Sequence, residues 1–504
     1  MSQDRNQTAK NALPGAAGGC DAGAEALAQT AEASSGNSAG SENATEPTPA
    51  IAPGAEDIDA RRAAEDFAAA GMDPRITALL PAFDAPFFQA GLAGYSDAAM
   101  RLIARRHGCP FCVTEALLDR TLLAGGRGFA KADLGELHDN VPGGGEDHPL
   151  ACQIMGSDPR EMSASAVKVA EQGRRGEKAY RLLAYEVQGV LPTTHAADRM
   201  HLRLPGGEQL GRIDPTEGLG DDDGDSCGSA CADDSCETLI DEINRVEDHA
   251  TIASSRPAAT GDDPSLRFEV IDINLACPVK KISKKARGGH WLAEPAGAIR
   301  ILEAVREAVP SHVPCTVKLR RSFDDTPEMV ANIHRILDAA RRIGYAWATV
   351  HARTVEQKYI GPSRWDLLRD LVARHRDLPI FGSGDIWSAA DIFRMMKYTG
   401  VVGASVARGC IGNPWIFRQA RDMMAGRDPA APTIPQQRDV LREHFRLLLA
   451  VNSGMRHGED ATSKMMRKFG IRFAAHHPRA DDVRKRFIGV RSTADWERVL
   501  EDLY

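Results

Sequence analysis

Short apolar runs alternate with helical patterns along much of this 504-residue chain. The runs fall at Phe87–Ala90, Phe111–Thr114, Leu150–Met155, Val270–Asn274, Cys315–Leu319, Trp347–His351, Pro379–Gly382 and Gly403–Val406. Most are apolar at consecutive positions, which suits strands of a parallel sheet covered on both faces. Helical periodicity follows them at Asp97–Arg106, Pro159–Gln172, Pro295–Ala308, Pro327–Ile343, Trp365–Arg374 and Ser388–Thr399. Eight strands with intervening helices predict an α/β fold, a (β/α)8 TIM barrel. A doubly wound open sheet is the competing architecture. After Pro432 the pattern is helical throughout, with Val440, Leu441, Phe445, Leu448 and Leu449 at helical spacing within Gln436–Asn452.

Two stretches break this alternation. Residues 1–73 are rich in Ala, Gly, Ser and Thr, and their first aromatic residue is Phe67. They read as a disordered acidic tail, with room for a short helix around Ala60–Ala70. Residues 174–267 form a second acidic stretch centred on Gly218–Asp225, and read as a mostly looped insertion between the third helix and the fourth strand. The barrel is therefore expected in two parts, 74–173 and 268–429, followed by a helical domain at 430–504.

Charge sharpens this division. The whole chain carries a net −8, which argues against a nucleic-acid partner only if the charge is spread evenly. The tail holds a net −8 and the insertion a net −9, leaving +9 on the rest, of which +4 lies in the helical domain. A predicted body of positive charge removes the objection. No apolar run approaches the ~18 residues of a membrane span. The N-terminus lacks the apolar core of a secretion signal, and ten cysteines are too few for a disulfide scaffold. A cytoplasmic, membrane-free protein and a monomer are expected.

Reactive residues cluster where the predicted strands end, the face on which barrels build active sites. Strand four runs through Asn274 into Cys277, whose thiol can act as nucleophile, acid or metal ligand. The lysines Lys280, Lys281, Lys284 and Lys285 follow, a run that suits a phosphate backbone or a solvated loop. Lys318 ends strand five and His351 ends strand six. A lysine in an apolar mouth needs an anionic partner, either a ligand or a structural carboxylate. Gly384-Asp385 and Ala407-Arg408-Gly409 end strands seven and eight, whose loops commonly make a phosphate site.

Several of these segments resemble the tRNA-dihydrouridine synthases. They are Gln89–Asp97, Gln153–Pro159, Asp272–Lys281 (with its Cys-Pro-Val-Lys-Lys run), Thr349–Thr354 and Gly412–Phe417. Met466-Arg467-Lys468-Phe469 resembles, more weakly, that family's C-terminal RNA-binding domain. The resemblance implies an FMN-bearing barrel that reduces the C5–C6 double bond of specific uridines in tRNA to 5,6-dihydrouridine, with NADPH as reductant. It implies that Gly91, Leu92 and Ala93 line the flavin and that Gln153 bonds its ring edge. Lys318 would stand by the N1/O2 side, and His351 near the flavin and its phosphate. Gly384, Asp385, Ala407 and Arg408 would hold the ribityl phosphate end. Asn274 would place the uracil, and Cys277 would protonate C5 as hydride reaches C6. Lys280, Lys281, Lys284, Lys285, Arg467 and Lys468 would contact tRNA.

The sequence departs from the family pattern at Gly91, Ala276, Ser383 and across Lys285–Leu292, where Arg, His and Trp are added. Cys227, Cys231 and Cys236 in the insertion are spaced C-x3-C-x4-C, with His249 as a possible fourth ligand, but match no strong metal signature, and no metal is expected. Two other functions compete: an FMN barrel acting on a small molecule, in the manner of a dihydroorotate dehydrogenase, and a non-catalytic RNA-binding barrel.

Overall fold

The computed structural model describes residues 54–124, 143–170, 267–278, 287–452 and 458–504. Eight parallel strands close a barrel in sequence order: β1 (Phe87–Gln89), β2 (Cys112–Leu118), β3 (Leu150–Met155), β4 (Val270–Leu275), β5 (Cys315–Arg320), β6 (Trp347–His351), β7 (Ile380–Ser383) and β8 (Gly403–Val406). The closed barrel excludes the open sheet. The lysine run 280–285 and the cysteines of the 174–267 insertion lie outside the described residues. Among those described, no group of three His, Cys, Asp or Glu residues is placed to hold a metal, and no helix is long and apolar enough to cross a membrane.

Strand alternation sorts the side chains. In β5, Val317 and Leu319 pack outward under the helices, and Thr316, Lys318 and Arg320 share the opposite face. The N-terminal end of the barrel is filled by aromatic side chains. Phe83 stacks on Phe111 (ring centroids 4.9 Å apart) and Phe381 (5.7 Å), with Phe88 and Trp347 edge-on to Phe381. This plug closes one end and leaves the C-terminal end for chemistry.

Helix starts follow local signals. Asp97 caps Ala98–Arg106 by accepting from Met100 N, and Thr326 with Pro327 starts Pro327–Ile343. Ser388 with Asp391, and Thr433 with Gln436, form capping boxes before Ala389–Thr399 and Ile434–Val451.

Two features add to the sequence reading. Residues 54–73, grouped there with the tail, carry the short helix the sequence left room for, Ala60–Ala70, capped by Asp59 and burying Ala60, Ala63 and Ala64. It packs on Ala389–Thr399 and Trp415–Met424, and Arg61 reaches Asp428 at 2.6 Å. The alanine stripe that looked too weakly apolar for a core lets this helix approach closely. In addition, β2 extends to Leu118 rather than ending at Thr114, because its register with β3 shifts between Val113 and Ala116. Such a bulge re-aims the residues it contains.

After the barrel, Ile434–Val451, Gly458–Phe473, Ala480–Ile488 and Thr493–Leu503 pack as a helical group. Leu441, Phe445, Leu448, Met466, Phe469, Phe487 and Trp496 are buried in it. Ile434–Val451 also packs on the barrel helix Ala98–Arg106.

Candidate active site

A cavity of about 320 Å³ opens at the C-terminal end of the barrel. That is within the size range of cofactor and small-molecule sites. It gathers Gly91, Leu92, Ala93, Gln153, Asn274, Cys277, Lys318, His351, Gly384, Asp385, Ala407 and Arg408. Strand register explains the gathering. Asn274 pairs with Lys318, Arg320 with His351, and His351 with Ser383.

A buried chain of hydrogen bonds runs across the cavity floor. Thr316 Oγ1 donates to Asp272 Oδ1 (2.6 Å), and Gln153 Nε2 donates to Asp272 Oδ2 (2.7 Å). Asn274 Nδ2 donates to Gln153 Oε1 (2.6 Å), and Ala276 N to Asn274 Oδ1 (2.9 Å). Because a carboxylate accepts only, Asp272 dictates which way the Gln153 amide faces. Burial pushes the Asp272 carboxyl above its ordinary range, against the two donors. Asp272 escaped the site reading, although its place two residues before Asn274 put it on the same inward face. At the edge of this floor, a Cβ on Gly91 would lie 2.3 Å from Thr114 O. Gly91, one of the positions that depart from the resembled pattern, is thus also a point of close backbone approach.

Three basic groups stand beside this floor on β5 and β6. Burial holds the Lys318 ammonium down to about 8, with Arg320 adding to the effect and Asp272 and Cys277 opposing it. Arg320 is likewise pulled down to about 10 by burial. Its guanidinium donates to three carbonyls, of Ala276 (3.0 Å), Thr354 (2.7 Å) and Lys358 (2.7 Å). Burial, together with Arg320 and Lys318, drives His351 well below the ordinary imidazole range, so the ring is neutral at neutral pH. Its Nδ1 lies 3.1 Å from Ser383 O; a carbonyl only accepts, so Nδ1 carries the hydrogen and Nε2 the lone pair.

Cys277 sits half-buried at the cavity mouth. Its neighbours come from the segment that departs from the family pattern. Gly289 N donates to Cys277 O (2.9 Å), and a Cβ on Gly288, whose φ is 57°, would lie 2.7 Å from Cys277 Cβ. Trp291 Nε1 donates to Gly156 O (3.2 Å), bracing this loop on the one after β3. The added tryptophan therefore turns inward as a brace, while the two glycines leave room for the cysteine.

The loops after β7 and β8 close the far end. Asp385 lines the cavity with a positive φ of 53°. It accepts from Arg353 Nη2 (2.7 and 2.8 Å), Ser363 N (2.7 Å) and Ser363 Oγ (2.8 Å). The Asp385 carboxylate is thus engaged by a buried ion pair and two Ser363 donors, so what this residue has left for a ligand is its backbone. Arg408 lies over Tyr359 (4.9 Å) and Trp387 (5.0 Å), and Arg320 also faces Tyr359 (5.4 Å). Tyr359 and Trp387 line the cavity and Arg353 stands behind it on Asp385; the sequence reading gave none of the three a role.

Arg467 and Lys468 do not join the cavity. Arg467 is half-buried on Gly458–Phe473, with Nη1 3.5 Å from Ile488 O, and Lys468 is turned onto the barrel.

A "Dihydrouridine synthase (Dus)" family model matches residues 256–498. A "Probable tRNA-dihydrouridine synthase" of Treponema pallidum is 31% identical over 262 residues, covering 50% of this chain and 75% of that relative. The chain belongs to the dihydrouridine synthase family. Other members are similar over shorter spans. A "Probable tRNA-dihydrouridine synthase" of Mycobacterium leprae is 31% identical over 236 residues (46% of this chain, 59% of the relative). The "tRNA-dihydrouridine synthase B" of Pseudomonas putida is 31% identical over 226 residues (45% and 64%). The chain thus spans about three-fifths of the length of these two dihydrouridine synthases.

Proposed function

We propose that this dihydrouridine synthase family member reduces the C5–C6 bond of specific uridines in tRNA, with FMN in the barrel cavity and NADPH as reductant. The observation that carries the reading is a cavity that brings together a thiol at its mouth, a buried lysine and an oriented amide on its walls, and two glycine-bearing loops at its far end.

The residues suit a flavin mononucleotide. Ser405 Oγ and Trp387 Nε1, both on cavity-lining residues, are buried and without a hydrogen-bond partner among the described residues, as is Arg353 Nη1 beside the far loops. Buried orphan groups are costly and call for a partner. Gly91, Leu92 and Ala93 would line the ring, and Gln153 keeps one Nε2 hydrogen for its edge. Lys318 offers a cation to the N1/O2 side. His351, neutral with an Nε2 lone pair, suits a hydroxyl donor on the ribityl chain. The backbone of Gly384-Asp385 and Ala407-Arg408, with the Arg408 guanidinium, would receive the phosphate.

The chemistry such a group supplies when bound is hydride delivery to C6 of the uracil, with electrons from NADPH. The chain's own residues do the rest. Asn274, fixed by Gln153 and Ala276 N, orients a base that has left its stack. Cys277 donates the Sγ proton to C5. Lys318 and Arg320 both interact electrostatically with Cys277, so the charge left on sulfur is met by two cations. The basic helical region, with Arg467, and Lys280, Lys281, Lys284 and Lys285 supply charge for the tRNA backbone.

Titration of flavin-free protein with FMN tests the cofactor assignment. Saturable binding is expected at neutral pH. Lys318 has its value lowered to about 8, so its charge is present below that pH and lost above it. A bound anion would raise the value, so affinity should fall as pH rises through and beyond about 8. Lys318→Met should weaken binding and flatten that dependence. Absence of saturable binding at any pH would remove FMN from the account.

A further inference from the structure

The C-terminal helical region touches the barrel at a point that bears directly on the cavity. β1 leads into the turn Gly91–Ser96, of which Gly91, Leu92 and Ala93 line the cavity. Ser96 pins the start of the turn: Leu92 N donates to Ser96 Oγ (2.8 Å), and Ser96 Oγ to Leu92 O (3.2 Å). The tip of the turn is Gly94, with φ of 73°. Both of its backbone groups are taken by charged side chains from elsewhere in the chain. Gly94 N donates to Glu115 Oε2 (2.7 Å), a carboxylate carried on the irregular stretch of β2. Lys468 Nζ, from the helix Gly458–Phe473, donates to Gly94 O.

The ammonium is further fixed by aromatic faces. It lies 4.9 Å from the centroid of Tyr95 and 5.2 Å from that of Phe469, and those two rings meet edge to face at 5.6 Å. Glu115 and Asp97 both interact electrostatically with Lys468. Moving Lys468 out to an RNA phosphate would give up the bond to the Gly94 carbonyl and the two ring contacts, and would remove a cation from beside the buried Asp97 and the half-buried Glu115. Such a site favours a residue that stays in place.

We propose that Lys468 is a positioning residue for the cofactor end of the cavity: it ties the C-terminal helical region to the turn that lines it, and is not a contact for tRNA. This rests on the reading of the cavity as a flavin site. It reassigns a residue that the sequence pattern placed on the RNA. It also gives the helical region a second task, since loss of its grip would loosen Gly91–Ala93.

The test uses the full chain and three measurements: FMN affinity by fluorescence titration, tRNA affinity by gel shift, and amide hydrogen exchange over residues 91–97. Lys468→Met is expected to weaken FMN binding at least tenfold, to speed exchange in the turn, and to change tRNA affinity less than twofold. Lys468→Arg should recover part of the FMN affinity, because it restores a cation that can donate to Gly94 O. Lys464→Met, one turn earlier on the same helix and exposed, should leave FMN affinity as it is. If Lys468→Met does not fold, Lys468→Gln takes its place with the same expected direction. Wild-type FMN affinity in the variant, or a loss of tRNA affinity larger than the loss of FMN affinity, would overturn the proposal. Failure of the unaltered protein to bind FMN would overturn the flavin reading and the proposal with it.

Discussion

Cys277→Ala is expected to keep NADPH-driven reduction of bound flavin at the unaltered rate while cutting dihydrouridine formation by about 10²- to 10⁴-fold, the range for loss of a positioned proton donor. The substitution is structurally mild. The contact that holds the loop is between Gly289 N and the Cys277 carbonyl, and a backbone carbonyl survives the change. Gly288 approaches the Cβ, which alanine retains. Only the sulfur and its proton are lost, leaving Lys318 and Arg320 facing a methyl group. Rapid mixing with NADPH, followed by single-turnover assays with tRNA, separates the two half-reactions. Turnover of tRNA at the unaltered rate would show that C5 is protonated by something else.

The second large effect is expected at a residue that touches no substrate. Arg353→Leu should release FMN and destabilise the fold by about 3–5 kcal/mol, the cost of breaking a buried ion pair from one side. Arg353 and Asp385 are both almost entirely buried, at 2% and 3% side-chain exposure. Without the guanidinium, the Asp385 carboxylate would keep only its Ser363 donors, next to the loops assigned to a phosphate. Its left-handed backbone would lose a main restraint. The guanidinium also bonds Gly361 O (2.6 Å), so the loop after β6 would loosen as well. Urea denaturation and the flavin-to-protein ratio of the purified variant measure both effects. A variant with unaltered midpoint and full flavin would show that the pair is incidental to the site.

The barrel was legible because each strand carries its own signal. Apolar runs bounded by Pro, Gly and capping residues marked β3, β6 and β8 at their actual limits, and Pro295–Ala308, Pro327–Ile343 and Trp365–Arg374 likewise. The cavity was legible because polar residues end strands that are otherwise apolar, as at Asn274, Lys318 and His351. What stayed hidden depends on partners distant in sequence. The role of Asp385 turns on Arg353, 32 residues away, and nothing local says that the aspartate faces its partner and not a ligand. The inward turn of Lys468 depends on Gly94, 374 residues away, whereas the resemblance of Met466-Arg467-Lys468-Phe469 to an RNA-binding domain implied an RNA contact. The shift in register between Val113 and Ala116 depends on pairing with β3, which the sequence of β2 alone does not carry. In the helix Ala60–Ala70, alanine contributes too little apolar area to announce a buried face, yet its small size is what allows close packing.

The most direct test of the central claim is the reaction itself. Flavin-loaded full-length protein, NADPH and unmodified tRNA transcript are incubated, and each uridine is examined for dihydrouridine. The account predicts dihydrouridine at a small set of positions, dependent on NADPH and on Cys277. Protein that carries FMN and oxidises NADPH but leaves every tRNA uridine unreduced would contradict it.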